Sequence, residues 1–187
     1  TVGGKNGYGA KIVNIFSNEF NIELVDRHTK KKYIQTFSEN MQKFTEPSIT
    51  KSTAKPYTKI TWKTDFKRFG INGFTDDMIG LMKRRVYDIS GVTDSKVSVC
   101  YNGKKLNIKS FKDYIELYPT ANPKTYEKLS ERWELAVAVS TNDKFEQISF
   151  VNGIATPKGG VHVDVVTKLL TSEVVKYIKK KYSNFDN

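Results

Sequence analysis

Nine residues near the start of the chain have the types and spacing to hold phosphate. Gly3-Gly4-Lys5-Asn6-Gly7-Tyr8-Gly9-Ala10-Lys11 contains four glycines and two lysines and runs into the helix-like Ala10–Ser17. Glycines let a backbone turn with its N–H groups facing one concavity, and a following helix adds its unpaired N-terminal donors. A lysine at the helix start, here Lys11, adds a point charge for phosphate oxygens. That combination suits a nucleoside triphosphate. It is not a Walker A loop, which needs Gly-Lys-Ser/Thr after a four-residue gap, because Gly9 is followed by Ala10 and Lys11 by Ile12. Nor is it a dinucleotide fingerprint, since Ile12 stands where the third glycine belongs. Without further assignment, a plain turn leading into a helix accounts for these residues better than a nucleotide site does.

Other chemistry-bearing residues read more simply. Lys179-Lys180-Lys181 is a run of charge that either faces a polyanion or forms a solvated helix end favoured by the macrodipole. Lys83-Arg84-Arg85 reads as a solvated helix face, Trp62 and Trp133 as core strand positions, and Asp76 and Asp77 as helix-start carboxylates. His28 and His162 lie far apart without cysteine companions, which excludes a zinc site of the usual Cys/His spacing. The single cysteine, Cys100, excludes an internal disulfide and sits in an alternating apolar run where a buried thiol fits.

The elements that must position these residues are a mixture of helix and strand. Ala10–Ser17 carries Ala10, Val13 and Phe16 on one helical face. Asn21–Val25 and Lys32–Phe37 read as strands joined by the turn Asp26–Lys30. Thr45–Pro56 is polar and proline-bounded, hence loop, and Tyr57–Lys63 alternates as a strand. Thr75 caps a helix that runs to about Ile89, with Met78, Met82, Val86 and Ile89 as its apolar stripe and Gly91 as its stop. Lys96–Ile108 is a hairpin around Asn102-Gly103, the pair that supplies a type I′ turn, and Ser110 caps a short helix to Tyr118. Pro119–Ser130 reads as a connector and domain boundary. Arg132–Ser140 and Phe145–Asn152 are strands, and a helix from Val163 to about Tyr182 repeats Val166, Leu170, Val174 and Ile178.

The chain has 187 residues, enough for one large domain or two small ones. Hydrophobic residues make up 38% and charged residues 27%, so a packed core is expected and wholesale disorder is not. Lysine and arginine number 31 against 20 acids, a net charge of +11 that points to a polyanionic partner or to an evenly basic surface. No stretch approaches 18 consecutive apolar residues, so no membrane partner is expected, and the first residues are not a signal peptide.

The glycine segment followed by Ile12-Val13-Asn14-Ile15-Phe16-Ser17 resembles the third ATP-binding motif of the GHKL (Bergerat-fold) ATPase domain of eukaryotic-type DNA topoisomerase II. Further segments are similar to that family in order: Tyr57–Trp62, Arg84–Ile89, Val99–Lys104, Arg132–Ser140 and Gln147–Val163, the last like the signature of its transducer domain. The resemblance covers essentially the whole chain. It implies an α+β fold, with the later part of a GHKL ATPase domain at residues 1–120, a connector at 121–130 and the start of a transducer α/β domain at 131–187.

By that resemblance Lys5, Asn6, Gly7, Tyr8, Gly9, Ala10 and Lys11 would wrap ATP. The amides of Tyr8, Gly9 and Ala10 would donate to phosphate oxygens, and the Lys11 ammonium would neutralise the terminal phosphates. Lys5 stands where the family commonly has arginine, keeping the charge but not the bidentate fork. Thr58 matches a strand threonine near the adenine. Lys179, Lys180 and Lys181 resemble a lysine-rich loop facing double-stranded DNA. The family's general-base glutamate and magnesium-binding asparagine are expected before Thr1, and its Gln-Thr-Lys lysine after Asn187, so these residues alone are expected not to turn over ATP with Mg2+. The resemblance also implies a homodimeric parent enzyme, a nucleus as location, and coupling of ATP to closure around DNA, with Gly159-Gly160 either a flexible point or a plain strand-to-helix turn. The rival reading is a non-catalytic basic module using Lys83–Arg85, Lys104, Lys105 and the terminal lysines on nucleic acid.

Overall fold

A computed structural model describes residues 4, 6–120 and 122–182 of the chain. The fold is α+β, and the chain divides into two compact units, the first being Gly4–Met78 and the second beginning at Ile79.

The first unit is one antiparallel sheet with a short helix. Helix α1 (Tyr8–Ile15) leads directly into β1 (Ser17–Val25), which pairs on one side with β2 (Lys31–Ser38) and on the other with β5 (Tyr57–Thr64). Two short strands, β3 (Lys43–Phe44) and β4 (Ser48–Lys51), pair along β2. The polar stretch expected as loop therefore contains β4, whose Ser48–Lys51 backbone completes a ladder with Lys31–Ile34. A ladder partner decides such a segment, because β-propensity is weak and depends on context. The β1–β2 turn is held by Asp26, whose Oδ2 accepts from the amides of His28 (3.1 Å) and Thr29 (2.6 Å) and from the Thr29 hydroxyl (2.7 Å). Those donors hold the Asp26 carboxyl below its ordinary value, the Thr29 amide first.

In register, Phe20 faces Phe37 and Trp62, and Ile22 faces Ile60. Phe20 is buried at 1% exposure, yet Trp62 on the edge strand is 47% exposed and Trp133 in the second unit 45%, so neither tryptophan is the core residue its strand position implied. A strand at the end of a sheet covers its side chains on one flank only.

The second unit contains most of α2 (Asp76–Val92), then α3 (Phe111–Ile115), the hairpins β6–β7 (Cys100–Tyr101, Lys104–Lys105), β8–β9 (Thr125–Ser130, Trp133–Val137) and β10–β11 (Phe150–Val151, Ile154–Ala155), and α4 (Val161–Lys181). Local chemistry explains several of these elements. The Thr75 hydroxyl accepts from the Met78 amide at 3.3 Å, and the Ser110 hydroxyl accepts from that of Asp113 at 3.1 Å, as N-caps should. Asn102 (φ 48) and Gly103 (φ 74) make the type I′ turn of β6–β7. Cys100 in that hairpin is exposed rather than buried, because two residues per strand cannot enclose a side chain.

Four expectations about these elements need correction. Gly91 lies inside α2, buried, instead of ending it. The buried residues of α2 are Asp88, Ser90 and Gly91, while Met78, Met82 and Ile89 are exposed. The proline-bounded connector holds β8, which pairs with β9 through Thr125–Ser130. Of the strand expected at Phe145–Asn152, only Phe150–Val151 is extended into a ladder.

Candidate nucleotide phosphate site

Gly7 to Lys11 of the glycine segment form an exposed helix N-terminus. Gly7 is the N-cap of α1 at φ 67, ψ 15, a left-handed conformation that glycine adopts without a steric cost. Among the described residues no side chain caps this end, and the first turn carries no acidic residue. The amides of Tyr8, Gly9 and Ala10 belong to the first turn, where an α-helix leaves its donors unpaired. Asn6, Gly7, Tyr8, Gly9, Ala10 and Lys11 are all exposed, and an added Cβ at Gly7 or Gly9 would meet nothing within 4 Å. The surface is open, donor-rich and positive, the arrangement that attracts phosphate. Lys5, also expected here, lies outside the described residues.

The other end of α1 is held by burial and hydrogen bonds. Asn14 is 5% exposed, and the Ser17 hydroxyl donates to the Val13 carbonyl at 2.5 Å. Asn40 Nδ2 donates to the Ile15 carbonyl (3.0 Å) and to Asp65 Oδ2 (3.1 Å). The Asp65 amide donates to the Phe16 carbonyl at 3.0 Å. The Phe16 ring sits 5.2 Å from that of Phe69 and 4.9 Å from the Arg68 guanidinium. The reach of Asn40 depends on three consecutive left-handed residues, Glu39 (φ 53), Asn40 (φ 58) and Met41 (φ 69). Sequence reading missed Asn40, Asp65 and Arg68, because the partners through which they hold α1 lie 25 or more residues away.

Thr58 lies on β5 of the same unit, exposed and opposite Leu24. The α1–β1 junction meets β5 at its other end, where Ser17 faces Thr64. Six residues of strand separate Thr58 from Thr64, about 20 Å at the usual rise. Lys179, Lys180 and Lys181 form the last turn of α4, exposed, in the second unit. Lys181 Nζ lies 5.8 Å from the Tyr177 ring and 5.5 Å from that of Tyr182. Arg85, expected on a solvated face, is instead half-buried and donates from Nη2 to the Gly153 carbonyl at 2.8 Å. His162 Nε2 lies 3.1 Å from both the Thr156 and Ser149 hydroxyls, a structural tie at the start of α4. Among the described residues, no group of three or more His, Cys, Asp or Glu side chains is arranged to hold a metal.

The DNA gyrase B family model matches residues 93–187, more than half of the chain, and the chain belongs to that family. Its relatives include the DNA topoisomerase 2 of Arabidopsis thaliana, 46% identical over 194 residues that cover 98% of this chain and 13% of the relative. The fold matches the ATPase region of Saccharomyces cerevisiae topoisomerase II with a TM-score of 0.88 at 45% identity, covering 95% of this chain and 47% of that one. It also matches the ATPase and transducer domains of DNA topoisomerase II from Balamuthia mandrillaris, with a TM-score of 0.89 at 37% identity, covering 97% and 47%. The chain therefore spans 13% of the length of the Arabidopsis relative and about half of either solved region.

Proposed function

We propose that this chain is the phosphate-binding and relay segment of an ATP-hydrolysing type II DNA topoisomerase, which passes one DNA duplex through a transient break in another. The observation that carries the reading is the N-terminus of α1: left-handed Gly7, no capping side chain among the described residues, no acid in the first turn, and Lys11 one residue beyond the three leading amides. Tyr8, Gly9 and Ala10 donate backbone N–H groups to the phosphates, and the Lys11 ammonium takes the terminal phosphate charge. Asn6 and Lys5 complete the loop, and Thr58 sits toward the adenine. A bound Mg2+ would neutralise phosphate charge, and its protein ligands would be supplied from outside these residues.

Residues 1–120 belong to the ATPase domain, 121–130 to a connector and 131–187 to the transducer, whose Lys179, Lys180 and Lys181 face DNA. The parent enzyme acts as a homodimer in the nucleus. The names of the relatives, the order of shared motifs and the net charge of +11 support this reading. The rival basic module is disfavoured by Arg85, whose guanidinium is engaged with Gly153 rather than displayed.

The test is nucleotide binding by the full-length protein with Lys11→Ala. A lost charged hydrogen bond of about 1.5–3 kcal/mol predicts ATP affinity lower by about 10- to 150-fold. AMP, which lacks the terminal phosphates, should bind both proteins equally. Unchanged ATP affinity in the variant would remove the reading, and a protein that binds no ATP but retains nucleic acid would install its rival.

A further inference from the structure

The two ends of the sheet in the first unit handle charge differently. At the end where α1 enters β1, strand lysines are matched with acids: Lys43 pairs with Glu39 at 2.6 Å and Lys63 with Glu19 at 3.2 Å. The other end is built from the β1–β2 turn, the last rung of the ladders and the β4–β5 loop. There Val25 faces both Lys32 and Tyr57, Lys31 faces Lys51, and the Ser52 amide donates to the Lys30 carbonyl at 2.9 Å. Three strand spacings, about 14 Å, separate β4 from β5. Arg27, Lys30, Lys31, Lys51 and Lys55 gather at this end, all exposed, and among the described residues none of them makes an ion pair. The acids nearby are already taken. Asp26 Oδ2 serves its own turn, and Glu23 pairs with Lys32 at 3.0 Å and accepts from the Tyr57 hydroxyl.

Several of these cations sit where folding disfavours them. Lys30 holds φ 53, a left-handed conformation that strains any residue with a β-carbon. Lys31 and Lys51 are direct partners across a ladder, where like charges repel. A lysine on an edge strand can guard it against aggregation, and that suffices for Lys51 on β4. It does not cover Lys31, whose strand lies between β1 and β4, nor Arg27, Lys30 and Lys55 in the connections. Uncompensated charge kept against local stability points to an anion outside the chain. Ammonium groups on long stems act as point charges and meet phosphates without a fixed geometry.

We propose that this end of the sheet is a surface for duplex DNA, separate from Lys179, Lys180 and Lys181, which touches the phosphate backbone and reads no sequence. A duplex carries one phosphate charge per about 1.7 Å of its axis, so a patch about 14 Å wide meets several at once. Contacts of this kind position a duplex and leave base identity unread. The choice of a duplex over an acidic protein segment rests on the topoisomerase reading above. The patch itself rests on the ladder register and the unpaired charges.

The experiment is lysine acetylation footprinting of the full-length protein, read by mass spectrometry, with a random-sequence duplex or with polyglutamate of equal charge. Lys30, Lys31, Lys51 and Lys55 should lose reactivity as duplex is added, while the paired Lys43 and Lys63 keep theirs. The duplex concentration that half-protects them should climb with salt at a log–log slope of up to about 4.5, at about 0.9 for each phosphate met by the five cations. Lys51→Gln combined with Lys55→Gln should lower that slope, read at Lys31, by about 1.8. Because it relieves the Lys31–Lys51 repulsion, the same variant should unfold no more easily than the wild type. Lysines that stay reactive in saturating duplex, or a slope unmoved in the double variant, overturn the surface. Protection by polyglutamate that equals protection by duplex overturns its assignment to DNA and gives it to an acidic protein. ATP binding is measured on the same samples. Its absence sinks the nucleotide reading alone, and protected lysines would still uphold the surface.

Discussion

An alanine methyl at Gly91 would lie 2.5 Å from Cγ, 2.6 Å from Cβ and 2.8 Å from Cδ2 of Tyr114. Glycine to alanine inside a helix is ordinarily worth about 1 kcal/mol of added stability. Here the ring cannot give way cheaply, because Tyr114 is 2% exposed and its hydroxyl serves Asp88, itself 5% exposed. Overpacking costs about 1–3 kcal/mol. If the ring moves, the buried Asp88 carboxylate loses its donor, at a further cost of about 1.5–3 kcal/mol. The sum, less the helix gain, is a net loss of about 1.5–5 kcal/mol. Gly80 is the internal control, since it lies in the same helix and a Cβ there meets nothing within 4 Å. Gly80→Ala should gain up to about 1 kcal/mol. Chemical unfolding of the two variants, followed by circular dichroism, measures both. If Gly91→Ala proves as stable as Gly80→Ala to within about 0.5 kcal/mol, a routine scatter for tolerated changes, the packing argument is refuted.

Asn40→Ala removes both hydrogen bonds that clamp the end of α1 and leaves a residue with a Cβ at φ 58, so a loss of about 2–3 kcal/mol is expected by the same unfolding assay. The accompanying loosening should appear as faster amide exchange in α1. Reversing Lys179, Lys180 and Lys181 to glutamate together should flatten the slope of log DNA affinity against log salt by up to about 2.7, measured by titration at several salt concentrations; an unchanged slope excludes these lysines from the interface. Asp113 accepts from the Lys109 amide at 2.9 Å, and that bond first, with the Ser110 hydroxyl next, lowers its carboxyl below the ordinary value. A lowered folded-state value means the stabilisation is present above the unfolded value and fades as pH falls through the folded one. Asp113→Asn should therefore unfold more easily than the wild type at neutral pH, and the two midpoints should converge as pH falls through the lowered folded-state value.

Much of the structure was legible in short windows of sequence. Asn102-Gly103 made its turn, Ser110 and Thr75 capped their helices, and Asp26 closed the β1–β2 turn, because each acts on amides no more than three residues away. The glycine loop was legible in the same sense: left-handed Gly7 and the bare start of α1 are local backbone properties. The Met78–Met82–Ile89 stripe misled because apolar spacing says that a helix has a face, and says nothing of which neighbour exists to cover it. Lys83-Arg84-Arg85 misled for a related reason. Three adjacent cations look alike in a sequence, and only the Gly153 carbonyl, 68 positions later, singles out Arg85.

The residues by themselves determined the turns, the caps, the mixed α and β character and the left-handed, acid-free start of α1, since these follow from φ preferences, missing Cβ atoms and donors within a single turn. Tertiary structure alone decided that polar Ser48–Lys51 becomes a strand, that Gly91 stays inside α2 to admit the Tyr114 ring, and that Asn40 and Asp65 anchor the helix whose other end is free. Each of those outcomes depends on a partner brought close by the folded chain. A ladder, a ring contact or a buried hydrogen bond gains its energy only once its two halves meet.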